Sequence, residues 1–238
     1  MKILVIQSKT KALIVLALLS LWLLNGCANG KQSVKGRTFE FSSVIKSDVD
    51  LVTETHQKMV FSALKELAVK LYKRNPKEWK KAGYASIKES VTPITTNPFP
   101  KVNNKTSIDA IRLAFDQQYE GDRVKALIVG LETMVLDSYD GHRSVYFYNM
   151  LEAQKLYDSA RNIELASWLL RTKHDSNNQL FLLSTGEGGE GDELNLSFER
   201  LFGKIINAQD MMAQIMADRS HRQIKNAIQS VARVFIPI

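Results

Sequence analysis

Asp122-Arg123-Val124-Lys125-Ala126-Leu127-Ile128-Val129-Gly130-Leu131-Glu132-Thr133-Met134-Val135-Leu136-Asp137-Ser138 is the stretch on which the fold turns. Val124, Leu127, Leu131 and Val135 recur every three or four residues, and Ile128 and Met134 extend the apolar surface almost all the way round. A helix over Arg123–Ser138 that is apolar on nearly every side belongs at the centre of a helical assembly. Gly121-Asp122 before it and Asp140-Gly141 after it punctuate the pattern.

Upstream, Ser107 is placed to cap a helix from Ile108 to Tyr119. Earlier still, Ser47-Asp48-Val49-Asp50 opens a long helix with acids at its positive end. Val52, His56, Met59, Ala63, Leu64, Leu67 and Leu71 form its expected buried stripe. Asn75-Pro76-Lys77-Glu78 ends that helix and starts a short one, with Asn as cap and Pro at the first helical position, running to Gly83. Thr92 to Thr106, with Pro93, Pro98 and Pro100, reads as an irregular crossover between two helical subassemblies.

Downstream, Val145 to Arg171 predicts a long helix burying Met150, Leu151, Leu156, Ile163, Ala166, Leu169 and Leu170. A last helical stretch is expected from Leu194 to Val234, bent near Gly203 or Asp218. Its core face is Phe202, Ile205, Ile206, Met211, Met212, Ile215, Ile224, Ile228 and Val231. The terminal Phe235-Ile236-Pro237-Ile238 is apolar enough to tuck back against the body. Strand signals are nearly absent, apart from the alternating Thr38-Phe39-Glu40-Phe41-Ser42. The expected fold class is all-α, an irregular bundle of about six to eight helices over residues 47–238.

The first residues differ in kind. Lys2, Lys9 and Lys11 stand before an apolar run, Ala12 to Leu24, with no acid among them. The run has the length of a signal-peptide core and falls short of the roughly 20 residues a spanning helix needs. Leu24-Asn25-Gly26-Cys27 follows, and Cys27 is the single cysteine of the chain. This opening resembles the signal peptide and lipobox of bacterial lipoproteins, with Asn25 where a smaller residue is usual. The resemblance covers only residues 1–27. It implies a signal peptide at 1–26, cleavage before Cys27, and diacylglyceryl attachment to the Cys27 sulfur. Residues 27–46 would then be a lipidated tether. Ala28, where a retention signal would carry Asp, implies the outer membrane and the periplasm-facing side. Anchoring needs more than one acyl chain, because a single chain binds only marginally.

The formal charge of the chain is +7, and without Lys2, Lys9 and Lys11 it falls to +4 (7 − 3). So mild an excess does not point to nucleic acid. A lipidated Cys27 leaves no thiol, hence no disulfide, thiolate metal site or cysteine nucleophile. His56, His142, His174 and His221 are scattered without the spacing of a zinc site, and His56 reads as a satisfied core residue. No phosphate loop, dinucleotide fingerprint or nucleophile elbow is present, and no cofactor or metal is expected. Glu187, Glu190, Asp192 and Glu193 lie in a Gly-rich segment, residues 186–193, without the alternation of an EF-hand. It reads as a solvated turn.

The remaining candidates for chemistry are polar groups on apolar helices. Gln154, Tyr157 or Asp158, and Arg161 share one helical face. Glu132 and Asp137 lie on the central helix, and Arg161 is expected to reach Glu132 across the seam. As a structural device this would be an ion pair fixing register. As an active site it would be a cleft lined by Tyr139, Tyr146, Phe147, Tyr148 and Trp168, with Glu132 or Asp137 as the acid. Three readings of function follow: a membrane-tethered, non-enzymatic helical adaptor or assembly component docking an envelope protein; an enzyme acting on peptidoglycan through Glu132 or Asp137; and a carrier of lipid or another apolar ligand.

Overall fold

In the computed structural model the described residues are 48–141, 151–184, 196–220, 224 and 234–238. The lipobox-like segment, the Thr38–Ser42 alternation, the aromatic run 146–148, His142, His221 and the acidic segment 186–193 lie outside them. So do Met150, Ile228 and Val231. All described residues belong to one compact unit, Ile45–Ile238.

Seven helices form among the described residues: α1 (Asp48–Arg74), α2 (Pro76–Lys81), α3 (Ile87–Ile94), α4 (Ser107–Ala114), α5 (Arg123–Ser138), α6 (Ala153–Thr172) and α7 (Ser197–Ser220). No strand forms there; Val102 with Lys105 and His174 with Leu180 make only isolated bridges. The chain is thus an all-α multi-helix bundle. Its described helices include none long and apolar enough to cross a membrane.

The central helix is α5. Every residue from Ala126 to Val135 is buried. Asp122 caps it, accepting the Lys125 N–H at 2.9 Å. α4 lies along α5 at very short range, and Gly130 makes this possible. A Cβ at Gly130 would stand 2.6 Å from the Ile111 backbone nitrogen and 2.8 Å from the Ser107 carbonyl. A glycine inside a helix costs about 1 kcal/mol relative to alanine, a cost offset here by backbone-to-backbone approach. At the same crossing, the Ser107 N–H donates to the Thr133 hydroxyl at 2.6 Å, and that hydroxyl donates to the Val129 carbonyl at 2.7 Å.

α1 packs on α5 and α7, and α6 lies along α7. The inward face of α1 is Val60, Ala63, Leu64, Leu67, Ala68 and Leu71. In its first turns the buried stripe is set one position from the expected one: Thr53 and Gln57 are buried, Val52 is exposed, and His56 and Met59 are half-buried. His56 Nδ1 lacks a hydrogen-bond partner among the described residues, so this histidine is not the satisfied core group its position suggested.

Several boundaries differ from expectation, among them the end of the last helix, since Ile224 and Val234 are not helical. α3 occupies part of the presumed crossover. Ser86 accepts the Glu89 N–H at 3.2 Å and the Glu89 carboxylate accepts the Ala85 N–H at 2.9 Å, a near capping box. Pro93 sits in the last turn of α3. α4 stops at Ala114, short of Tyr119. α6 starts at Ala153, because Glu152 is extended (φ −82°, ψ 114°) and Leu151 is not helical. α7 runs unbroken through Gly203 and Asp218, with Met212 buried and Met211 47 % exposed.

The C-terminal tail does fold back. The Asn162 side chain clips Ile236 on both sides, its amide donating to the Ile236 carbonyl and its oxygen accepting the Ile236 N–H, both at 2.7 Å. Phe235 is buried beside this clip, with the Arg112 guanidinium 5.9 Å from its ring centroid.

Candidate functional site

Glu132, Asp137 and Arg161 do not converge. Glu132 and Asp137 are five residues apart, roughly 140° round a helix that turns 100° per residue. Accordingly Glu132 is buried (1 % exposed) while Asp137 is at the surface. Partial desolvation raises the Asp137 carboxyl above the usual range, opposed by the Ser107 hydroxyl and by Lys155. Arg161 turns toward α7 and not toward Glu132. It donates to Asp210 at 2.6 Å, pairs with Glu164 at 3.2 Å and lies over Tyr157 at 4.8 Å. Gln154 donates to Asp158 at 2.8 Å on the same face of α6. The expected aromatic cleft is not built from Tyr139, which is fully buried.

Tyr139 belongs to a buried polar hub. Its hydroxyl donates to Gln209 Oε1 at 2.9 Å, and Gln209 Nε2 donates to the Ser138 and Ser159 hydroxyls at 3.1 and 3.0 Å. All four residues are buried, and together they tie α5, α6 and α7 through uncharged groups.

The charged counterpart lies where α1, α2 and α5 meet. The Tyr72 hydroxyl donates to Asp122 Oδ2 at 2.7 Å, and Glu78 accepts the Arg123 N–H at 2.6 Å and Lys81 at 2.7 Å. The Arg123 guanidinium donates to the Asp116 and Ala114 carbonyls at 2.7 and 3.1 Å and stacks over Phe181 at 4.6 Å. Burial pushes the Asp122 carboxyl up, while the Lys125 N–H and the Tyr72 hydroxyl pull it down. Burial likewise raises the Tyr72 hydroxyl far above its ordinary value, reinforced by Asp122, and lowers the Arg123 guanidinium.

Beside this junction opens a cleft of about 650 Å³. Arg74, Asn75 and Lys77 form one wall, and His174, Asn178 and Gln179 stand on the other, with Phe181 and Leu183 adding apolar surface. The second wall is a loop held at several points. Gln117 exchanges two hydrogen bonds with Ser176, at 3.1 and 3.0 Å. Asp175 Oδ1 accepts the Asn177 and Gln179 N–H groups. Asn75 does not cap α2 with its side chain. It donates to the Leu183 carbonyl and accepts the Leu183 N–H, both at 2.8 Å. No local sequence pattern encodes this wall, because its partners are 59 and 108 residues apart. No group of metal-ligating side chains assembles among the described residues.

No protein-family model, curated protein or solved structure matches the chain.

Proposed function

We propose that the protein is a lipid-anchored lipoprotein of the periplasmic face of the outer membrane, acting as a helical adaptor or assembly component for an envelope protein. The anchor would be Cys27, following the lipobox-like Leu24-Asn25-Gly26. The observation that carries the adaptor reading is how three ionisable groups, Asp122, Glu78 and Arg161, are used. Asp122 caps a helix, Glu78 caps Arg123, and Arg161 ties α6 to α7. Groups so engaged hold helices in register, and what the body then offers a partner is its surface. Lipidation would raise the local concentration of that surface at the membrane.

The test is crosslinking in living cells with the intact gene, purification through a C-terminal tag and mass spectrometry, beside Cys27→Ser. A stoichiometric envelope protein, lost with Cys27→Ser, is the expected result. Recovery of the protein alone from the membrane fraction would overturn the adaptor reading and return attention to glycan and lipid ligands.

A further inference from the structure

The cationic cleft beside Asn75 carries an inference about the partner, and it rests on the adaptor reading. Lys70, Lys73, Arg74, Lys77, Lys80 and Lys81 place six cations in twelve residues against one acid, Glu78. Of these, Arg74 and Lys77 line the cleft together with Glu78, whose carboxylate is engaged by the Arg123 N–H and by Lys81. Arg74 and Lys77 make no ion pair among the described residues and are exposed at the cleft. Lone cations at a concave surface have a charge to satisfy, and an anion seated there meets less competing water than on a flat face.

The opposite wall is suited to main-chain recognition. Asn178 and Gln179 offer side-chain amides that can both donate and accept. The His174 Nδ1–H donates to the Thr172 carbonyl at 2.8 Å, which leaves Nε2 for a ligand. Phe181 and Leu183 provide apolar surface for a neighbouring side chain. Gln117, Asp175 and Asn75 hold this wall in place before anything binds, so little ordering entropy is lost on binding.

We infer that this cleft docks an acidic peptide segment of a partner protein, its carboxylate on Arg74 and Lys77, its backbone on Asn178 and Gln179, and an adjacent apolar side chain against Phe181 and Leu183. The cleft sets charged, amide and apolar groups side by side in one concavity, which suits a peptide chain; anionic lipid, which clustered Lys and Arg also attract, is the competing outcome of the test.

The full chain in detergent is titrated, by fluorescence polarisation, into a labelled hexapeptide of alternating leucine and glutamate. Binding is expected to weaken at least tenfold in Arg74→Glu/Lys77→Glu and less than twofold in the exposed control Lys88→Glu/Lys101→Glu. Equal losses in both variants, or no binding, would overturn the inference. So would Arg74- and Lys77-dependent binding to vesicles of phosphatidylglycerol without binding to the peptide. A crosslinked envelope partner recovered alongside an indifferent peptide would remove the cleft and leave the adaptor reading standing. Peptide binding through Arg74 and Lys77 with no partner recovered would do the reverse.

Discussion

Two polar clusters hold this bundle together, and they differ in charge. The hub of Tyr139, Ser138, Ser159 and Gln209 is neutral and buried. The junction of Tyr72, Asp122, Glu78 and Arg123 is ionic and borders a cleft. The neutral hub contains no carboxylate, imidazole, amine or guanidinium, so its packing is not coupled to protonation between acidic and neutral pH. An ionic junction couples packing to protonation, and its edge presents charge to whatever approaches. The contrast separates where the molecule is rigid from where it can respond.

The largest expected effect is at the hub. Gln209→Leu removes the partner that Tyr139, Ser138 and Ser159 share in a buried site, although Ser138 keeps its bond to the Val135 carbonyl, and should cost about 3 to 4 kcal/mol. Chemical denaturation at pH 7.5 and pH 5 should give the same loss; a loss that changes with pH would break the comparison. Gly130→Ala is the steric reference. Its new methyl meets the backbone at Ser107 and Ile111, which cannot yield, and the expected cost is about 2 to 3 kcal/mol, equally blind to pH.

Next comes Tyr72→Phe, which removes one hydrogen bond to a buried carboxylate and should cost about 1 to 3 kcal/mol. Here pH matters. The Tyr72 hydroxyl favours ionised Asp122, so the loss should be full at neutral pH and shrink as pH falls through the folded-state pKa of Asp122. A loss identical at pH 7.5 and pH 4 would show that Asp122 does not ionise in the folded protein.

The smallest effect tests a group beside the hub. Asp158 is buried on α6, and desolvation raises its carboxyl, against the Gln154 hydrogen bond. A carboxyl with a raised folded pKa binds protons more tightly when folded. Its contribution is complete below the unfolded pKa and is lost as pH rises through the folded one. Asp158→Asn should therefore raise the thermal midpoint slightly at pH 7.5, and the gain should vanish near pH 4. A gain that persists at pH 4 would assign the effect to packing and not to charge.

Much of the fold was legible because its signals are local. Asp122 before an apolar run and Asp140-Gly141 after it bound α5, and Asn75-Pro76 separates α1 from α2. α3 was missed although Ser86-Ile87-Lys88-Glu89 carries a capping pattern, since Pro93 and the asparagines beyond it argue for coil. The stripe at the start of α1 was misplaced because buried Thr53 and Gln57 carry no apolar signal. Of the candidate site, Arg161 was correctly placed on one face with Tyr157, but its partner Asp210 is 49 residues away on α7. Asn75 read as a cap, and its contact with Leu183 depends on a chain reversal that no local pattern encodes.

The clip between Asn162 and Ile236 has a use as a reporter. Outside helices, amide protons generally exchange with solvent quickly, but the Ile236 N–H is held by a side chain of α6. It is thus an isolated slow proton in a non-helical tail, next to the buried ring of Phe235. Followed by deuterium uptake, that proton reads out the seating of the tail on α6 without interference from helix fraying. Asn162→Ala should release it while the amides in the middle of α6 stay protected.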